Sequence, residues 1–268
     1  MNALFTAFGI LLTPGDEVIV PVPSFFFQPQ IEFFGGVSVN VESSEEDGFR
    51  PDLVGIRNSI TPRTKAIVVC TPSNPTGIVY SQRELKEIAE IAKENRLTII
   101  SDESYEKMVY DGRRHISIAS IPDAMECTIT IHSFTKSYAM PGWRIGFIAA
   151  NEHFIEHSKR LLQWSTICCS YVAQRAALAA LAGPQEWVKS VVPRYEHCRN
   201  LYLRGLNDSR DLCSQARGRP FHIPQRFKTK NPRREDFTGS AHIPWHRLYS
   251  GIIFPLQESS ETTLRRRR

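Results

Sequence analysis

The stretch SFTKSYAMPGWRIG, from Ser133 to Gly146, holds Lys136 three residues after Ser133 and eight before Arg144, with Thr135 between. A lysine amine adds to carbonyl carbons, and hydroxyls beside a guanidinium suit a phosphate. Two further polar groups accompany it: TPSNPTG with Asn74, and SDESY with Asp102 and Tyr105. Singly these are ordinary features, since SNPTG is a good turn and an aspartate after a strand can cap a helix. Together they supply an amine, a carboxylate, a phenol, an amide, hydroxyls and a guanidinium. That set matches a ligand bearing a carbonyl, a basic ring nitrogen, a ring oxygen and a phosphate.

What must position them is a series of short β-rich runs alternating with helix-length amphipathic segments, the pattern of an α/β fold with a mostly parallel sheet and helices on both faces. Strands are expected at 17–20, 37–41, 65–70, 97–100, 127–132 and 144–150, and their apolar runs suit strands covered on both sides. The clearest helix spans 82–94: Ser81 and Glu84 form a capping box, and Leu85, Ile88, Ala89 and Ala92 recur at helical spacing. Further helices are expected at 2–12, 24–34, 51–58, 151–165 and 170–182. All three polar groups then follow the C-terminal end of a strand, where open α/β sheets bind ligands.

The chain has 268 residues, 41% of them hydrophobic and 23% charged, enough to bury a substantial core without disulfides or metal. Its six cysteines show no C-x-x-C spacing, which points to a reducing, cytoplasmic setting. No apolar run reaches the length of a membrane span, and the first residues lack a signal peptide's basic start. The net charge of +5 is uneven: residues 206–268 hold thirteen Lys and Arg against six Asp and Glu. The basic character therefore belongs to that segment, and the rest gives no reason to expect nucleic-acid binding. Residues 1–205 are expected to form the folded unit, with 206–268 a basic, Pro- and Arg-containing tail, disordered or non-homologous.

Motifs for other phosphate ligands are absent. There is no G-x-x-x-x-G-K-[ST] and no G-x-G-x-x-G opening a helix. Neither H-E-x-x-H nor G-x-S-x-G occurs, so neither a zinc site nor a serine nucleophile is expected. Pyridoxal phosphate, by contrast, uses the whole polar set. Its aldehyde takes a lysine, its ring nitrogen an anion, its ring oxygen hydrogen-bond donors, and its phosphate an arginine and hydroxyls.

The motifs TPSNPTG, SDESYEKMVYDG and SFTKSYAMPGWRIGF resemble those of the class I/II aminotransferases, pyridoxal-phosphate enzymes of fold type I, nearest the aspartate and aromatic aminotransferases. The resemblance runs from Asn2 to about Gly205 and implies the large domain of that fold. It implies that Lys136 forms the Schiff base and shuttles the proton at the substrate α-carbon, and that Asp102 pairs with the ring nitrogen. Tyr105 and Asn74 would bond the ring oxygen, while Ser133, Thr135 and Arg144 would hold the phosphate. Phe25, two residues after Pro23, matches the position of the aromatic that stacks on the ring, and Phe26 and Phe27 are left to the core. The implied reaction moves an α-amino group between an amino acid and a 2-oxo acid, in a homodimer. The same motif set serves C–S lyases and aminocyclopropane carboxylate synthases, and a truncated, non-catalytic relative would keep it too. The resemblance begins inside the family's phosphate-binding turn, and nothing in 206–268 matches its small domain, which carries the arginine for the substrate carboxylate.

Overall fold

Alternation of side chains builds the sheet. In β1 (Glu17–Val22), Val18 and Val20 point to one face and Ile19 to the other, and every one of the three is buried. The same alternation recurs in β3 (Thr64–Cys70), β4 (Thr98–Asp102) and β5 (Thr128–Ser133). With β2 (Val37–Glu42) and β6 (Gly146–Ala149) they form one sheet in the order β2-β1-β3-β4-β5-β6. The first five strands are parallel, and β6 runs antiparallel to β5. The computed structural model describes residues 1–208.

Helices close both faces. On one side Ile19, Ile67, Val69 and Ile99 pack against α3 (Leu53–Asn58) and Leu85, Ile88 and Ile91 of α4 (Gln82–Asn95). On the other, Val18, Val20, Val68, Ile100 and Ile131 meet α1 (Asn2–Leu11), α2 (Phe27–Phe33) and Phe154 of α6 (Glu152–Ser165). Each fully buried aliphatic side chain contributes about 1.5–3 kcal/mol, so these two layers dominate stability. Helix α4 starts with the expected capping box, Ser81 accepting from the Glu84 N–H while Glu84 reaches back to the Ser81 N–H. Its C-cap, Arg96, adopts a left-handed conformation.

Several expectations need correction. The outer strands β2 and β6 are not covered on both faces: each has a single neighbour, and Val37 and Phe147 are exposed. Helix α2 begins at Phe27 rather than residue 24, because Phe26 takes a φ of 74° that a right-handed helix cannot include. Phe27 joins the core as expected, whereas Phe26 stays exposed. Strand β6 starts at Gly146 because Arg144, at φ 50°, turns the chain before it. A long helix α8 (Glu186–Asp208) follows α5 (Phe134–Ser137) and α7 (Tyr171–Ala182) in the chain; it was not expected, because Pro193 interrupts its pattern. The tail expected over 206–268 lies, past residue 208, outside the described residues. Among the described residues five cysteines are free, and no helix is long and apolar enough to cross a membrane.

Candidate functional site

The chain goes from β1 outward to β2 and then crosses to β3 on the other side of β1, so the sheet reverses its winding between β1 and β3. A crevice opens at the carboxyl ends of strands at such a reversal. The register brings Cys70, Asp102 and Ile131 level across β3, β4 and β5. Period-two alternation puts Cys70 with Val68, Asp102 with Ile100 and Ser133 with Ile131, all toward the α1 side. There a cavity of about 620 Å³ is lined by Asn74, Asp102, Tyr105 and Lys136. Ser133, Thr135, Arg144 and Phe25 complete the set, so all eight residues singled out in the sequence border one space.

Each is held by its own local structure. Asp102 ends β4, and its Oδ1 accepts from the Ser104 hydroxyl at 2.6 Å and the Ser104 N–H at 3.0 Å. Tyr105 is buried, and the Lys136 Nζ stands 5.6 Å from the centre of its ring. Ser133 is the N-cap of α5, its Oγ accepting from the Thr135 N–H at 3.2 Å. The capping bond uses a lone pair and leaves the hydroxyl proton available to a ligand. Arg144 Nη1 donates to the Pro141 carbonyl at 2.8 Å from an exposed position on the cavity rim. Phe25 packs on Phe26 with ring centres 3.6 Å apart. A Cβ at Gly146 would collide with the His132 carbonyl, so only glycine permits this pairing of β6 with β5. Gly142, the other glycine of the motif, has open space around it and makes no close approach.

On the opposite face of the sheet lies a second layer of charge. Glu103 is buried and accepts from the Ser101 hydroxyl at 2.9 Å, the Ser117 hydroxyl at 2.8 Å and His115 Nε2 at 2.8 Å. Burial works to raise its pKa, but His115 and the two hydroxyls outweigh burial and hold it below the usual carboxylate range. Glu106 and His132 form a second carboxylate–imidazole pair, Nδ1 to Oε2 3.5 Å, and the imidazole stacks on Phe147. Burial opposes both charges; Glu106, helped by Glu103, still raises the His132 pKa, and His132 with Lys107 lowers that of Glu106. The second pair ties the turn carrying Asp102 and Tyr105 to the strand that ends in Ser133.

Sequence reasoning missed Ser104, whose only signal is a hydroxyl two residues after an aspartate. It also missed Phe26 and Lys159, which line the cavity but belong to no motif, and Phe147, which closes the motif beginning at Ser133 without being singled out there.

Comparison with known proteins adds findings of three kinds. The profile of the family "Aminotransferase class I and II" matches residues 2–217. The aspartate aminotransferase of Bacillus sp. (strain YM-2) is 41% identical over 197 residues, which is 73% of this chain and 50% of that protein. The aspartate aminotransferase of Bacillus subtilis (strain 168) is 41% identical over 226 residues, 83% of this chain and 58% of that protein. Among solved structures, the aromatic aminotransferase from Pyrococcus horikoshii OT3 superimposes with a TM-score of 0.79 at 35% identity, over 81% of this chain and 59% of that one. The Thermus thermophilus aspartate aminotransferase with maleate gives a TM-score of 0.78 at 38% identity, over 81% and 57%. The chain thus spans between half and three-fifths of the length of these curated relatives.

Proposed function

Because the chain belongs to the class I and II aminotransferase family, we propose that it forms the cofactor-binding large domain of an enzyme moving an α-amino group from an amino acid to a 2-oxo acid. The family is pyridoxal-phosphate-dependent. One observation carries the proposal: residues separated by up to about 120 positions in the chain converge on one cavity with the donor and acceptor set that this cofactor requires. The fit is chemical. A carboxylate, a phenol, an amide, a lysine amine, hydroxyls and a guanidinium surround a space of about 620 Å³, roomy enough for a ligand of that size.

Pyridoxal phosphate, when bound, supplies a reactive carbonyl and a ring that withdraws electrons from the substrate α-carbon. Lys136 would hold the carbonyl through its amine and, once released by the substrate's own amine, would move the proton at the substrate α-carbon. Its place beside the Tyr105 ring keeps the amine on the cavity wall. Asp102 holds a proton on the ring nitrogen, while Tyr105 and Asn74 donate to the ring oxygen. Ser133, Thr135 and Arg144 bind the phosphate, the first two from the start of α5 and the third from the rim. Phe25 is assigned to the ring face.

A homodimer and a cytoplasmic setting belong to the same proposal. Trp164, Ile167, Tyr171 and Val172 leave an apolar surface around the start of α7, which a second copy would cover. The free cysteines support a reducing compartment.

The test is borohydride reduction after addition of pyridoxal phosphate, followed by peptide mass mapping. Label confined to Lys136 is the expected result; no label, or label scattered over surface lysines, overturns the proposal. Amino acid added to the loaded protein then distinguishes the reaction. Conversion to the pyridoxamine form indicates transamination, whereas release of ammonia and a 2-oxo acid without it indicates a lyase.

A further inference from the structure

Asp102 has little freedom left by its backbone. Its carbonyl accepts from the Thr71 N–H at 3.3 Å, and the N–H of the next residue, Glu103, donates to the Ile131 carbonyl at 2.9 Å. These bonds tether the end of β4 to both neighbouring strands, so what remains is rotation of the side chain. Ser104 removes that rotation. Its N–H and its hydroxyl both donate to Oδ1, the hydroxyl at the short distance typical of a charge-assisted bond. Among the described residues no hydrogen bond reaches Oδ2. The neighbouring carboxylate does not compete for the serine, because Glu103 is already satisfied by Ser101, Ser117 and His115.

We infer that Ser104 is a positioning residue: its hydroxyl fixes Oδ1 so that Oδ2 of Asp102 is presented to the cavity as the acceptor for a protonated ring nitrogen. The inference rests on the proposed function. It assigns the orientation of the key carboxylate to a hydroxyl two residues along the same turn, on the lining of the same cavity. The backbone N–H bond survives replacement of the side chain, so Ser104→Ala removes the hydroxyl and keeps the turn. Threonine restores the hydroxyl; alanine does not.

The experiment titrates the full chain, the S104A variant and the S104T variant with pyridoxal phosphate. It records the dissociation constant and the visible circular dichroism per bound cofactor, with thermal unfolding of each unliganded protein alongside. Loss of a hydrogen bond to an ionised group predicts about tenfold weaker binding for S104A. A reduced visible dichroism band accompanies it, because the ring loses its fixed partner. S104T is expected within about twofold of the parent on both readouts. S104A with parental affinity and dichroism overturns the inference and leaves the proposed function standing. So does S104T behaving like S104A, or weaker binding that merely follows a lower unfolding temperature with the dichroism per bound cofactor unchanged. A parent chain that binds no cofactor overturns the proposed function, and the inference falls with it.

Discussion

Helix α8 is fastened to the turn beyond Tyr105 by the Arg199 guanidinium and by the Glu196 carboxylate, which accepts from the Asp111 N–H at 2.9 Å, and unequal burial of Arg199 and Asp111 makes a sharp forecast. Arg199 donates to Asp111 through Nη1 at 2.8 Å and Nη2 at 2.7 Å, and its guanidinium stands 5.0 Å from the centre of the Tyr110 ring. The arginine side chain is 5% exposed, the aspartate 42%. The hydrogen bond and charge of Arg199 hold Asp111 below its ordinary pKa, so the pair stays ionised at neutral pH. Asp111→Asn keeps the residue's left-handed backbone, φ 59°, which asparagine tolerates, and deletes only the charge. It takes the bidentate carboxylate from a buried guanidinium that also contacts the Asn200 side chain and, at 3.5 Å, Glu196. Breaking a fully buried pair costs about 3–5 kcal/mol and an exposed one under about 1, so about 2 kcal/mol is expected for this half-exposed case. Arg199→Met fills the stem's volume and returns Asp111 to water, so its cost is about 1 kcal/mol. The order is the prediction: losing the exposed partner hurts more than losing the buried one. Urea denaturation at neutral pH reads both, and the double variant should lie closer to R199M than to the sum. R199M costing more than D111N, or both under about 0.5 kcal/mol, would refute the reasoning.

Two further outcomes follow from the layer behind the cavity. His132 has a raised pKa in the fold, so its contribution is full below 6.5 and fades as pH rises through the raised value; Glu106 has a lowered one, so its contribution is full above 4.5 and is lost as pH falls through the lowered value. The stability gap between the parent and Glu106→Gln, from denaturant curves, is therefore expected to be widest between pH 4.5 and 6.5 and narrower at alkaline pH; a gap that grows with pH contradicts the pairing. Gly146→Ala forces a methyl onto the His132 carbonyl, a backbone atom that cannot step aside, and should cost about 1–3 kcal/mol, read as a lower unfolding temperature.

Much of the fold was legible because its signals are local. The apolar runs in β1, β3, β4 and β5 and the Ser81/Glu84 box need only near neighbours to be read. The eight cavity residues were legible for a different reason: they lie at or close to the ends of strands, and the sheet itself brings strand ends together. What escaped was decided by contacts distant in the chain, or by backbone angles. Edge exposure of β2 and β6 depends on strand order, which alternation does not encode. Phe26 and Arg144 delay the starts of α2 and β6 through positive φ, where no glycine marks the place. Helix α8 contains Pro193 and is fastened by a partner 88 residues away in sequence. Ser133 caps a helix and borders the cavity at once, and a single hydroxyl gives no sign of two employments.

The one antiparallel pairing in the sheet has a kinetic meaning. β5 and β6 are joined by a short connection, and Ser133, Thr135, Lys136 and Arg144 all lie on it or at its ends. Closing so short a loop carries a small entropy penalty, and local antiparallel pairs form within microseconds. Asn74 and Asp102 arrive only through parallel crossovers, whose distant pairings form slowly. The side of the cavity that carries Ser133, Lys136 and Arg144 is thus built on contacts close in the chain, and the side that carries Asn74 and Asp102 on contacts far apart in it. A ligand that needs both sides is therefore expected to bind only after the parallel strands have paired.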